Sequence, residues 1–160
     1  MKLFTDGSVN PQQKVGYGAY LLVTDKNVVL ESRIKTKRFE QTSSTKLELQ
    51  TLLWALDDLL ALDDIDHEVM IYTDSQNIIG LPRRRDGFEK NNYRTKANKC
   101  IANHELYREF YRVTDKLECE FIKVKGHKKS HQKDEIDRIF TLVDRASRLA
   151  LREGALQCRS

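Results

Sequence analysis

Twice in this chain an apolar run ends on Thr-Asp and a small residue: Lys2-Leu3-Phe4-Thr5-Asp6-Gly7-Ser8 and Met70-Ile71-Tyr72-Thr73-Asp74-Ser75. Glu48 lies between them in a leucine-rich segment, and Asp144 lies near the other end of the chain. Each acid has an ordinary structural role available. Asp6 suits an Asp-Gly turn, Glu48 the third position of a capping box, Asp74 the cap of a following helix and Asp144 a solvated helix face. Taken together they have another role. Neighbouring strands lie about 4.8 Å apart, so carboxylates carried by two of them reach a shared ion. Glu48 sits beside its helix's apolar stripe, and an acid from a terminal helix completes the cluster. Crowded carboxylates raise one another's pKa and need a counter-charge. An all-oxygen set without a Cys or His group selects Mg²⁺, with Mn²⁺ as substitute, over zinc. Two such ions about 3.5–4 Å apart activate a water and stabilise the leaving oxygen of a phosphodiester. That chemistry requires several acids and no side-chain nucleophile.

The elements that must position these acids are readable from periodicity. Residues 2–6, about 17–25 and about 27–37 read as three antiparallel strands separated by "GSVNPQQKVG" and "TDKN". Leu49, Leu52, Leu53, Leu56, Leu59 and Leu60 fall at spacings of three and four, the mark of an amphipathic helix, and Thr45-Lys46-Leu47-Glu48 matches a capping box at its start. "HEVMIYTD" reads as a buried strand, and "SQNIIGLP" as a brief helix stopped by Gly80 and Pro82. Residues 82–98 read as a loop or loosely helical excursion. A helix over roughly 101–115 follows, with Leu106, Phe110 and Val113 inward, and then a strand, "LECEFIKVKG". The last helix buries Ile136, Ile139, Phe140, Val143, Ala146 and Ala150 and stops at Gly154. The order βββαβααβα predicts an α/β fold, a five-stranded mixed sheet flanked by helices.

Composition bounds the alternatives. A chain of 160 residues, 39% hydrophobic and without a composition break, predicts one domain over residues 1–160. No stretch is apolar enough to span a bilayer, and residues 1–10 lack the pattern of a signal peptide. Cys100, Cys119 and Cys158 are odd in number and unpaired in spacing, which disfavours a disulfide framework or a zinc site and predicts a reducing, cytoplasmic setting. The net charge of +4 is modest. Its distribution matters more: Arg83, Arg84, Arg85, Lys90, Arg94, Lys96 and Lys99 crowd into one segment, and Lys123, Lys125, Lys128, Lys129 and Lys133 into another.

The pieces "FTDGS", "KLELQTLLWAL", "YTDS" and "KVKGH" resemble, in order and near-usual spacing, the signatures of the type 1 ribonuclease H family, and "ANHELYREF" resembles the segment before that family's last strand. The likeness runs over nearly the whole chain. It implies the ribonuclease H fold and a metal-dependent endonuclease that hydrolyses the RNA strand of RNA/DNA hybrids, leaving 3′-hydroxyl and 5′-phosphate ends. It implies further that Asp6, Glu48 and Asp74 are the first three metal-binding carboxylates, and that His127 in "KGH" assists proton transfer or product release. An imidazole exchanges protons near neutral pH.

The fourth carboxylate departs from the pattern. Family spacing points to Asp137, ten residues after His127, whereas "VDRASRLA" resembles the family's Asp followed by small and apolar residues better than "IDRIFTL" does. Asp144 is therefore the assignment, with Asp137 its rival. Ser43-Ser44-Thr45 stands where many relatives carry asparagines and is expected to hold a phosphate or 2′-hydroxyl. The basic segment 82–99 falls where some members carry a positively charged handle, so Arg83, Arg84, Arg85, Lys90, Arg94, Lys96 and Lys99 are expected to grip the hybrid without sequence preference. A monomer is expected. The competing readings are a DNA nuclease of the same fold, resolvase- or transposase-like, and a hybrid-binding module without catalysis.

Overall fold

The structure, a computed structural model, describes residues 1–24, 33–63, 67–125, 129, 131 and 134–157. Among the described residues nine elements follow the predicted order: β1 Lys2–Asn10, β2 Val15–Val23, β3 Lys35–Glu40, α1 Ser44–Leu60, β4 Glu68–Thr73, α2 Gln76–Lys90, α3 His104–Thr114, β5 Glu118–Lys123 and α4 Glu135–Gln157. The sheet order is β3-β2-β1-β4-β5. Strand β2 runs antiparallel to both β1 and β3, while β4 runs parallel to β1 and β5 parallel to β4. A chain that returns to the middle of the sheet in this way leaves a crevice at the carboxyl end of β4, beside β1.

Alternation along the strands divides the core into two layers. Leu3, Val69 and Ile71 pack under α1 and α3 with Leu49, Leu52, Leu56 and Phe110. Phe4 and Tyr72 point the other way, stacked with ring centroids 4.7 Å apart, and meet Ile139, Phe140 and Val143 of α4.

Four local expectations are corrected. Strand β1 does not turn at Asp6-Gly7 but continues to Asn10, with Asp6 paired to Ala19. Gly7 answers to packing: a Cβ there would lie 3.0 Å from Leu47 Cδ2, so the residue admits α1 against the strand. Helix α1 is capped by Ser43, whose hydroxyl accepts from Lys46 N, so Thr45 and Glu48 form no capping box. The offered hydroxyls 43 to 45 are adjacent, and the earlier one starts the helix. Helix α2 runs through Gly80 and Pro82 to Lys90. Pro82 removes one intrahelical donor, and packing holds the rest: the Tyr111 hydroxyl donates to Leu81 O at 2.6 Å, and Phe88 stacks between Tyr93 and Tyr107. Finally, α4 passes Gly154 without stopping. A Cβ at that position would lie 2.3 Å from Tyr17 Oη, so this glycine lets α4 lie close to β2.

The third strand is Lys35–Glu40, later than expected, and residues 25–32 lie outside the described residues. No helix among the described residues is long and apolar enough to cross a membrane. Cys100 and Cys119 are free thiols, and burial pushes Cys119 up to about 11, far from a reactive thiolate. Cys158 lies outside the described residues.

Candidate active site

The acids gather at the crevice because of strand register. On β1, Asp6 shares the face of Phe4, the face covered by α4. The β1–β4 pairing ends at Phe4↔Tyr72, and the same register carried two residues further puts Asp6 level with Asp74, immediately past the end of β4 at Thr73, where the charge of Asp74 bears on Asp6. There the chain leaves the sheet and turns into α2.

Ser75 makes that turn and reaches the third acid. Its buried hydroxyl accepts from Ile78 N at 3.2 Å, capping α2, and donates to Glu48 Oε2 at 2.6 Å. Released from any capping box, the half-buried Glu48 is held by the helix that starts beside Asp74.

Asp144 arrives from α4. Ser147, fully buried one turn further on, donates to Asp144 O at 2.9 Å. With its only proton spent there, Ser147 Oγ accepts from Ser8 Oγ, also 2.9 Å away, which ties the middle of α4 to β1. Asp144 is thereby brought into hydrogen-bond contact with Asp6. Asp137 sits seven residues earlier, in the first turn of α4, and is buried there. It exchanges bonds with Asp134: Asp137 N donates to Asp134 Oδ1 at 2.8 Å, and Asp134 N donates to Asp137 Oδ2 at 3.3 Å. This is the reciprocal arrangement of a capping box. Of the two candidates for a fourth acid, Asp144 is the one joined to Asp6 by a hydrogen bond.

Crowding marks the cluster electrostatically. Burial, the charge of Asp74 and the hydrogen bond with Asp144 push Asp6 up to about 9, against the opposing pull of the Gly7 backbone N–H. Glu48 is raised by burial and, to a smaller degree, by Asp74, while the Ser75 hydroxyl works in the other direction. Among the described residues no three acids enclose a single metal-sized point by themselves. The Asp144 carboxylate is instead forked by Arg148, with Nε donating to Oδ1 at 3.1 Å and Nη2 to Oδ2. The residues nonetheless fit a hard divalent cation. The donors are oxygens, and beyond the effect of burial part of the raised proton affinity of Asp6, and a smaller part of that of Glu48, comes from neighbouring carboxylate charge that a 2+ ion would relieve.

The expected substrate contacts are distributed unevenly. Thr42, Ser43 and Ser44, with Lys14 and Lys46, line an open groove of about 360 Å³ at the N-terminus of α1; Thr45 is exposed beside it. In the basic segment, Arg83, Lys90, Arg94, Lys96 and Lys99 are exposed. Arg84 lies over the Phe88 ring at 4.7 Å and donates to Asn77 Oδ1 at 2.9 Å. Arg85 is committed elsewhere: it forks Asp115 at 2.5 and 2.8 Å, and its Nε donates to Glu89 at 2.8 Å, fastening α2 to the end of α3. His127 lies outside the described residues.

Ser75, Ser147 and Arg148 were not singled out by sequence reasoning. Ser75 carried a signal as the small polar residue opening a helix, and Arg148 carried one as the i+4 partner of Asp144. Ser147, one small residue among several in "DRASRLA", carried none.

A family model described as RNase H matches residues 1–143. Proteins named ribonuclease H are similar over most of this chain. That of Clostridium botulinum (strain Hall) is 28% identical over 143 residues, covering 86% of this chain and 90% of that protein. That of Chlorobium luteolum is 29% identical over 141 residues, covering 86% and 90%. That of Novosphingobium aromaticivorans is 26% identical over 142 residues, covering 87% and 92%.

Proposed function

The chain belongs to the RNase H family, and on that premise we propose that it is an endoribonuclease that hydrolyses the RNA strand of RNA/DNA hybrids at the carboxyl end of β4, beside β1. The observation that supports the reading is the chain of mutual influence among the four acids, in which Asp6 feels Asp74 and Asp144 and Glu48 feels Asp74. These four acids would hold divalent cations, two Mg²⁺ ions or Mn²⁺ in their place. When bound, the ions supply positive charge to the attacking and leaving oxygens of an in-line displacement at phosphorus.

The protein's own groups do the positioning. Burial and the neighbouring Asp74 and Asp144 hold the Asp6 carboxyl well above its usual range, and positive charge in the cluster would favour its ionised form. Ser75 aims Glu48 from one side, and the Ser8–Ser147 bond holds Asp144 from the other. His127 would exchange a proton with the departing 3′-oxygen or ease release of the 5′-phosphate product.

Substrate would lie across the acids between two basic regions. Ser43, Ser44 and Thr45, with the first N–H groups of α1, suit a phosphate or a 2′-hydroxyl. Arg83, Lys90, Arg94, Lys96 and Lys99 would contact backbone phosphates, as would Arg84 from its aromatic seat. Such contacts carry no sequence information and weaken steeply with salt. Arg85, held by two acids, acts in this reading as a strut between α2 and α3 rather than as a phosphate ligand.

The test is to incubate labelled RNA/DNA hybrid, duplex RNA and duplex DNA with the protein and Mg²⁺ or Mn²⁺, with Asp74→Asn as control. Hybrid-selective cleavage of the RNA strand that disappears in the variant is expected. Cleavage of duplex DNA, or hybrid cleavage that survives the substitution, would overturn the reading.

A further inference from the structure

Asp144 faces Asp6 and is held by both prongs of Arg148. The arginine sits one turn along the same helix, and its side chain is 58% exposed against 24% for Asp144. It also feels the charge of Asp6. A guanidinium thus stands at the rim of the acid cluster, in register with the carboxylate a cation would need.

We propose that Arg148 is a positioning residue that tunes the site's affinity for its divalent cation, holding the Asp144 carboxylate in a forked ion pair that is exchanged as the cation binds. The inference rests on the reading of Asp144 as a metal-binding carboxylate. Two effects of the arginine act in the same direction. It occupies carboxylate lone pairs that an entering cation would use, and its fixed positive charge repels that cation. Exchange is easy because an exposed i,i+4 pair is weak, and the guanidinium can swing into water on its long stem. Without a cation the same pair keeps the Asp144 carboxylate oriented. Arg148 therefore trades binding strength for a pre-aimed ligand.

The experiment is calorimetric titration of the whole protein with Mn²⁺, and separately with Mg²⁺, in the absence of nucleic acid. Wild type is compared with Arg148→Gln, Arg152→Gln and Asp144→Asn, each checked for folding by circular dichroism. Arg152 lies one turn beyond Arg148, so its substitution removes the same charge without touching the fork. Arg148→Gln is expected to bind metal about 3- to 10-fold more tightly, the size of one screened charge interaction at close range. Arg152→Gln is expected to shift affinity less than twofold, and Asp144→Asn to weaken binding. Unchanged or weaker binding in Arg148→Gln, or equal tightening in both arginine variants, would overturn the proposal while leaving the role of Asp144 standing. Unaltered binding in Asp144→Asn would overturn that role and the proposal with it.

Discussion

The hydroxyl of Ser75 stands 2.6 Å from Glu48 Oε2 while accepting from the backbone N–H of Ile78, so one buried oxygen both starts helix α2 and aims an acid of the cluster. Replacing it separates into two effects. Ser75→Ala should cost about 1 kcal/mol of stability through the lost cap. It should also let burial push the Glu48 pKa further up, because the hydroxyl is the group that opposes that rise. Expected outcomes are a lowered denaturation midpoint and an acid limb of the pH–rate profile moved to higher pH, whereas Ser75→Thr, which keeps the hydroxyl, restores the limb. A profile unmoved in Ser75→Ala would contradict this role.

Asp6 predicts how stability depends on pH and metal. Its folded-state pKa of about 9 lies above the usual 3.8. Between those values the folded chain holds a proton that the unfolded chain has released. The stability this represents is complete below about pH 4 and is lost as pH rises towards 9. Metal-free protein should therefore become less stable across that window. Mg²⁺ should recover more stability at pH 8 than at pH 5, since a cation favours the ionised form. Asp6→Asn should flatten the dependence and, near pH 8 in chelator, exceed wild type by on the order of a few kcal/mol. Thermal denaturation with and without Mg²⁺ measures all three.

Gly154 tests the packing of α4. Alanine inside a helix ordinarily gains about 1 kcal/mol over glycine. Here the new Cβ would fall 2.3 Å from Tyr17 Oη, so Gly154→Ala should instead destabilise by about 1–3 kcal/mol. Removing the obstructing oxygen with Tyr17→Phe should recover part of that loss, which denaturant titration of the double variant reads directly. A stabilised single variant would contradict the close approach.

The Ser8–Ser147 bond makes a separable prediction about activity. Ser147→Ala takes away the part-buried partner of the Ser8 hydroxyl and should cost about 1–2 kcal/mol. Because the bond fixes α4 against β1 beside Asp144, turnover should fall while hybrid affinity is kept. Steady-state kinetics on a labelled hybrid distinguishes this from general weakening, in which both parameters change.

Long-period patterns in this chain were legible and single-residue punctuation was not. The leucine stripe of α1 and the apolar sides of α3 and α4 stand where periodicity places them, since burying a face is a many-residue constraint. Gly7, Gly80, Pro82 and Gly154 each read locally as a turn or stop. Tertiary packing overrode each: Leu47 against Gly7, Tyr17 against Gly154, and the Phe88 and Tyr111 contacts that carry α2 past Pro82. At the site, Asp6, Glu48, Asp74 and Asp144 were nameable because motif and topology both point to them. What holds them was not, because Ser75 to Glu48 and Ser8 to Ser147 are contacts across 27 and 139 residues of chain. Asp144 is preferred to Asp137 on its sequence neighbours, because spacing does not decide between acids nearly two helical turns apart, and the structure puts Asp137 in the first turn of α4 and Asp144 near its middle.

That choice is the most direct test of the account. Labelled RNA/DNA hybrid with Mg²⁺ should be cut by Asp137→Asn at close to the wild-type rate, with stability reduced by about 1 kcal/mol through the weakened cap with Asp134. Asp144→Asn should fold normally and lose at least about 100-fold in kcat, comparable to removal of a preorganised electrostatic group at a reacting centre. Loss of cleavage in Asp137→Asn with activity retained in Asp144→Asn would contradict the site as assigned.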